Sequence, residues 1–375
     1  MSAAISPPAQ LPSWLQTISE VVVDPSVRTT PLAARVRERL PHVRWTVLDE
    51  DGAVPAWGQE EQVVYLKHYK GRFLRFCPGT KAYRCCGYRI VHIGENCPLS
   101  CSYCILQAYF QDRMLKVWAN QEDLYTELDR AFAANPDKRY RLGTGEFTDS
   151  LALEPLTGYS RDLVDFLGRY PNVCLELKSK VIDLSWMTAV RDPRRVLPAW
   201  SLNAPAIHEE QEHRTSTLTE RLEAARECVR HGFRVCLHFD PIIRYPGWET
   251  GYDRIVDMIF EYLRPADIAY MSLGSFRCMP ELKSIIDRRH PQARYIYDEF
   301  ITGADDKLRL LRPLRVEQFR RIVSRLQKWG MREQLYFCME SDTVWQQVFG
   351  YTPRQLGGLQ NHLLRRSFGE ESDAL

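Results

Sequence analysis

Asn96-Cys97-Pro98-Leu99-Ser100-Cys101-Ser102-Tyr103-Cys104-Ile105-Leu106-Gln107 decides how this chain is read, because it carries three cysteines at C-x3-C-x2-C spacing. Three thiolates this close together can wrap one metal centre, but they cannot close a four-coordinate site. Structural zinc takes four protein ligands, usually as two close pairs separated by a longer insert. A cubane [4Fe–4S] cluster takes one ligand per iron, so Cys97, Cys101 and Cys104 leave one iron open to a small chelating molecule. The bland alternative is three buried cysteines that fell together by chance. Asn and Pro at the start of the loop, and an aromatic before the last cysteine, favour the cluster.

The rest of the composition is consistent with such a loop. A chain of 375 residues, 45% of them hydrophobic, can bury one large core and a smaller appendage. Eleven cysteines are too dilute for a disulfide scaffold. The start, Met1-Ser-Ala-Ala-Ile-Ser-Pro-Pro8, has no basic segment with an apolar run behind it and so does not read as a signal peptide. No apolar stretch approaches transmembrane length, so no membrane partner is expected. A reducing cytoplasm is implied, where thiolates stay free to hold iron. The formal charge of +2 gives no global pull toward nucleic acid, although a local patch would suffice.

From about residue 88 to 300 the chain alternates between two kinds of segment. Short apolar runs occur at Tyr88–Ile93, Tyr140–Phe147, Val173–Leu177, Val196–Leu202, Phe233–Ile243 and Ile268–Leu273. Segments of helical period lie between several of them, at Gln121–Ala134, Tyr159–Arg169, Thr217–His231 and Tyr252–Leu263. Thr217–His231 lines up Leu218, Leu222, Ala225 and Val229 on one face and ends at Gly232, a favoured C-cap residue. Strand–helix alternation predicts parallel strands with right-handed crossovers. Six units fit an α/β fold with a partial (β/α)6 TIM-like barrel, its site at the C-terminal strand ends; a doubly wound sheet is the competing architecture. Residues 1–87 read as an N-terminal cap, with a helix over Leu32–Leu40 and a strand at Val63–Tyr69. Prolines at 7, 8, 12, 25 and 31 punctuate it. Residues 301–375 read as a C-terminal extension with a basic helix at Val316–Trp329 and a short polar tail.

The remaining motifs fall at expected strand ends. Gly143-Thr-Gly-Glu-Phe-Thr-Asp149 closes the second strand; its glycines would let a ligand approach, and Glu146 can accept a hydrogen bond from an ammonium group. Lys178-Ser-Lys180 closes the third strand and Ser201-Leu-Asn203 the fourth. Lys178, Lys180, Ser201 and Asn203 are candidates for the carboxylate and ribose of a nucleotide cofactor, or simply solvated loop ends.

Taken together, the C-x3-C-x2-C loop resembles that of the radical S-adenosylmethionine superfamily. Cys85-Cys-Gly-Tyr88, Cys101-Ser-Tyr-Cys-Ile-Leu-Gln-Ala-Tyr109, Ser201-Leu-Asn203, Thr215–Ala225, Asp240-Pro-Ile-Ile243 and Gly274-Ser-Phe-Arg277 resemble its spore photoproduct lyase branch, over about residues 75 to 350. The resemblance implies a [4Fe–4S] cluster, S-adenosyl-L-methionine chelating its open iron, and Glu146 at the methionine amine. It implies a carbon–carbon lyase for DNA repair, in which a 5′-deoxyadenosyl radical takes hydrogen from a thymine–thymine lesion and a cysteine quenches the product radical. A reductase of flavodoxin or ferredoxin type would be the electron donor and DNA the partner. This chain departs from the family pattern. The donor cysteine expected just before a Thr/Ser-Asp pair is absent from Gly145-Glu-Phe-Thr-Asp149, so either Cys278 or Cys338 substitutes or the reaction is not this repair. Of the relay tyrosines, Tyr103 is present, but Ile105 follows Cys104. Lys307-Leu-Arg309 resembles the family's DNA-wedging hairpin, with Leu310 where an aromatic is expected.

Other features have plainer readings. Cys77, Cys85 and Cys86 could hold a second metal but lack a fourth ligand of obvious spacing, and small buried hydrophobes are the simpler account. Cys174, Cys228, Cys236, His92 and His238 read as core. The basic, Leu-interleaved run Lys307–Arg332 is a solvated helix or a phosphate-tracking surface. Two rivals remain: the same radical acting on a metabolite or peptide, and a non-catalytic iron–sulfur or zinc protein.

Overall fold

The computed structural model describes residues 11–49, 60–80 and 82–370. The N-terminal octapeptide, with Pro7 and Pro8, and the end of the polar tail lie outside the described residues.

The six expected strands form at Arg89–Val91, Tyr140–Gly143, Val173–Ser179, Val196–Ser201, Val235–Ile242 and Ile268–Ser275, all parallel and neighbours in chain order. Their runs are apolar on both faces because helices cover the outer one, as parallel sheets require. Four of those helices, Gln121–Ala133, Tyr159–Leu167, Leu218–Arg230 and Trp248–Tyr262, lie where the apolar period puts them. Leu218–Arg230 starts at a capping box: Thr217 Oγ1 accepts from Glu220 N at 3.2 Å, and Glu220 accepts from Thr217 N at 2.7 Å. Its buried stripe runs through Leu218, Leu222, Ala225 and Cys228, while Val229 is only partly covered. The stripe is rotated by one residue at its end, which a period of 3.6 permits.

Two strands beyond the expected six extend the curled sheet. Leu335–Phe337, from the C-terminal region, pairs parallel with Ile268–Ser275. Leu74–Phe76, from the N-terminal region, pairs antiparallel with Arg89–Val91 at the opposite edge. The barrel is therefore open, with those two strands at its margins. Conversely, Leu115–Trp118 and Gly94–Glu95 leave the barrel stretch and complete a five-stranded sheet with Val63–Lys67, Glu20–Val23 and Arg44–Val47. The sheets thus cross the cuts expected at residues 87 and 300, because strand edges are covered by whichever segment lies nearby rather than by chain order.

The basic helix forms at Arg312–Lys328 and packs on Trp248–Tyr262. Its arginines are largely spent inside the protein: Arg321 pairs with Asp253, Arg325 with Asp257 and buried Arg315 with Glu340, and Arg320 donates to Gln347 O. This argues against a phosphate-tracking role for that helix. Phe300–Thr302 and Leu308–Leu310 form an antiparallel hairpin that adds Arg277–Cys278 as a third strand. No helix among the described residues is long and apolar enough to cross a membrane.

Candidate active site

The cysteine loop leaves the first barrel strand through Asn96, whose φ of 69° and that of Ser100 at 52° turn the chain tightly. Asn tolerates this left-handed region, and its side chain secures the turn by donating to Asp112 O at 3.0 Å and Met114 O at 2.9 Å. Farther along, Gln107 donates to Ser102 O at 2.9 Å, and Ser102 shares hydrogen bonds with Gln211 at 2.6 Å and Tyr295 at 2.9 Å. The three sulfurs are largely covered. Burial is the main influence on each thiol and pushes it above the ordinary cysteine range; the Lys180 ammonium acts in the opposite sense on Cys101 and Cys104. Among the described residues, no three His, Cys, Asp or Glu side chains converge on a single-ion site.

Tyr103, the relay candidate of the loop, is buried. Its hydroxyl donates to Glu212, and Glu212 accepts from Arg221 at 2.7 Å. Arg221 and Glu212 have 0% and 1% of their side chains exposed. Burial alone would raise the Glu212 carboxyl, but Arg221 and its other donors outweigh it and hold it well below the carboxylate range. Tyr103 therefore anchors the loop to the helix Leu218–Arg230. Replacing Glu212 by Gln strands the Arg221 charge in the core, and a loss of about 3–5 kcal/mol is expected. Denaturant titration checks this, and a loss under about 1 kcal/mol would mean that the pair is dispensable.

The second strand's Gly-rich end works by packing. A Cβ on Gly143 would lie 1.5 Å from Tyr88 Oη, and one on Gly145 would lie 2.9 Å from Lys178 O. These glycines admit a tyrosine ring and the neighbouring strand, rather than a ligand as expected. Asp149, not singled out from sequence, ties the turn to the third strand: its carboxylate accepts from Ser179 Oγ at 2.7 Å and Lys180 N at 2.9 Å. Asp and Ser after a strand are turn residues, so the only signal for it was an Asx turn.

Around this frame the structure gathers a charged mouth. Lys178 Nζ lies 3.8 Å from Glu146, both about a quarter exposed. Burial would lower the Lys178 ammonium, but Glu146, Glu176 and Asp240 outweigh it and hold it charged. Arg277 pairs with Asp240 at 3.2 Å and donates to Cys338 Sγ at 3.7 Å. Burial, then Asp240, pushes the Cys338 thiol far up, against the pull of Arg277. Lys307, partly buried in the turn of the hairpin, is lowered by burial and then by Arg277. Beneath the mouth, Glu176 accepts from Tyr270 and faces His238 at 3.4 Å. Burial would raise its carboxyl, yet His238, Arg141 and Lys178 push it down to about 2.

Other candidates lie apart from this mouth. Asn203 is 1% exposed, and its amide is committed: it accepts from Tyr252 at 2.6 Å and Ala204 N at 3.0 Å and donates to Pro241 O at 3.0 Å. It shapes the fourth strand's end, and one N–H of the amide has no protein acceptor among these bonds. Ser201 is buried, and its carbonyl accepts from Arg221 at 2.7 Å. Arg309, expected as a nucleic-acid contact, lies in the hairpin strand Leu308–Leu310. It is 2% exposed, pairs with Asp305 at 2.7 Å and stacks on Tyr83 at 3.9 Å, so its charge is used within the hairpin. Cys278 is 2% exposed against Lys283 and Tyr295, and burial pushes its thiol up to about 11. Cys174, Cys228 and Cys236 are core, as is His92, which burial pushes down to about 3. Cys86 is hydrogen-bonded to Cys85.

The profile of the family described as spore photoproduct lyase matches residues 83–302. The spore photoproduct lyase of a Geobacillus species is 22% identical over 212 residues, and that of Bacillus subtilis is 22% identical over 213. Each match covers 56% of this chain and 62% of the relative, less than two thirds of its length. A solved spore photoproduct lyase variant with dinucleoside spore photoproduct has a TM-score of 0.74 at 18% identity, covering 88% of this chain and 98% of that one. A further variant with bound AdoMet and dinucleoside spore photoproduct also has a TM-score of 0.74, at 17% identity, covering 90% and 100%. The fold is shared almost end to end and the profile spans more than half of the sequence: the chain belongs to the spore photoproduct lyase family, within the radical S-adenosylmethionine superfamily.

Proposed function

We propose that this protein is a radical S-adenosylmethionine lyase that reverses a thymine–thymine lesion in DNA, working in the cytoplasm with a flavodoxin- or ferredoxin-type electron donor. The reading is supported by the charged mouth that holds Glu146, Lys178 and Cys338, with the Lys180 ammonium acting on Cys101 and Cys104. The donor set fits a [4Fe–4S] cluster. A cubane spreads three thiolates over three irons, so its ligands need not converge on one point as those of a single ion must. When bound, the cluster and S-adenosylmethionine supply a 5′-deoxyadenosyl radical on one-electron reduction.

The protein's share is to bind, orient and exclude water. Lys180 offsets the negative charge of the thiolates beside it. Glu146 offers its carboxylate to the ammonium of the methionine moiety, and the Lys178 ammonium is available to the carboxylate. Lys307 presents a cation to the phosphodiester of a dinucleotide, and Arg277 holds Asp240 in place beside it. Cys338 holds an S–H bond at the mouth, the kind of weak bond a carbon radical needs.

The test is anaerobic turnover of reconstituted protein with a chemical reductant and dinucleoside spore photoproduct. Formation of 5′-deoxyadenosine with restored thymines supports the reading. No 5′-deoxyadenosine ends the radical assignment, and 5′-deoxyadenosine without repair ends the lesion assignment alone. Glu146→Gln is expected to keep its iron while S-adenosylmethionine binding weakens about tenfold to hundredfold, the loss of a charge-assisted hydrogen bond. Equilibrium dialysis measures it, and unchanged affinity would move the amine contact elsewhere.

A further inference from the structure

The open edge of the barrel carries an aromatic and basic surface that the site above does not use. Leu74–Phe76 is the outermost strand there, so its free side faces solvent. Strand residues alternate between faces, and each face bears a stack. On one face Phe76, 69% exposed, lies directly opposite Arg89 in the antiparallel ladder, with the guanidinium 3.7 Å above its ring. On the other face Arg75 lies over Phe147 at 5.5 Å, next to Glu146 in sequence. Tyr109, 45% exposed, packs its ring on Phe147 at 5.7 Å, just beyond the cysteine loop.

The charge of this edge is one-sided. Lys70 and Arg72, both exposed, precede the strand, and no ion pair is recorded for Lys70, Arg72, Arg75 or Arg89 among the described residues. The nearby carboxylate, Glu127, is taken up by the backbone N–H groups of Phe73 and Leu74 at 3.0 and 2.9 Å. Exposed rings of this size are costly to leave in water and commonly mark a binding surface. Rings capped by guanidinium groups that have no ion pair suit flat, electron-rich bases joined by phosphates, because stacking tolerates any base while the cations follow the backbone. An acidic protein would match the charge, but it would not call for two separate ring–guanidinium stacks on opposite sides of one strand.

We propose that this edge is a track for single-stranded nucleic acid leaving the barrel mouth, with bases stacking at Tyr109 and Phe76 and phosphates meeting Arg75 and Arg89. The proposal rests on the nucleic-acid reading of the mouth and extends it from a dinucleotide to the flanking strand. It accounts for the open barrel: a polymer can lie across a free edge, whereas a closed barrel would admit only its end.

The experiment compares a fluorescent twelve-nucleotide thymidine strand with a dinucleotide, by anisotropy on the cluster-loaded protein over a range of salt. Phe76→Ala is expected to weaken the twelve-mer about tenfold and to leave dinucleotide binding unchanged. Arg89→Gln is expected to lower the salt slope by about 0.7, one phosphate contact on a single strand. Both side chains are at the surface, and an unchanged thermal midpoint confirms that the fold is kept. Unchanged twelve-mer affinity and slope in both variants overturns the track, as does an equal loss for the dinucleotide. Loss of reduction by a flavodoxin with no loss of strand binding would assign the edge to a protein instead, which also overturns it. Length-dependent loss in a protein that never repairs the lesion would uphold the track and reject the lesion assignment, so the two failures are separable.

Discussion

Cys101→Ala is expected to lose the iron–sulfur absorbance, most of its iron and all 5′-deoxyadenosine formation. In the proposed cluster each thiolate would hold one iron, so removing one would leave two irons without a protein ligand and the cluster would fall apart. Cys101 is the most deeply set of the three, at 7% exposed. Iron and sulfide analysis of anaerobically reconstituted protein checks the result. A full iron content in Cys101→Ala would sink the cluster assignment. Cys86→Ala serves as the control, since Cys86 lies outside the C-x3-C-x2-C loop and is hydrogen-bonded to Cys85. It should keep close to the wild-type iron, and a large loss there would reveal a second site.

The barrel and the cysteine loop were legible because both are local. C-x3-C-x2-C is fixed by spacing alone, and each strand or helix announces itself through its own apolar period. What was not legible depends on contacts between distant segments. Asn203 at a strand end reads as a ligand, and only the fold reveals that Tyr252, Ala204 and Pro241 take up its amide. Lys307–Arg332 reads as a basic stripe, and only packing brings Asp253, Asp257 and Glu340 against its arginines. Tyr103 and Glu212 are too far apart in sequence for spacing to relate them. The open-edge stacks were hidden for the same reason: Phe76 and Arg89 become partners only through strand register.

Cys338→Ala is expected to form 5′-deoxyadenosine normally and to turn repair into abortive adducts, whereas Cys278→Ala should behave as wild type. Either thiol was open from sequence, and geometry separates them. Leu335–Phe337 is the last parallel strand, so its C-terminal end delivers Cys338 to the mouth, where Cys338 N donates to Leu273 O at 3.0 Å. Its sulfur neighbours Arg277, Asp240 and Glu146. Burial and those carboxylates keep it as the thiol at neutral pH, which is the form that can give up a hydrogen atom. Cys278 is also protonated, but it sits in the hairpin sheet opposite Leu308, facing Lys283 and Tyr295. Product analysis by mass spectrometry on dinucleoside spore photoproduct distinguishes the two. In deuterated water the thymine restored by wild type should carry deuterium, because a thiol hydrogen exchanges with solvent, and that label should be lost in Cys338→Ala. Adducts from Cys278→Ala and clean repair by Cys338→Ala would reverse the assignment. Clean repair by both would remove cysteine from the final step and make a buried tyrosine of the barrel interior, such as Tyr336, the next residue to replace.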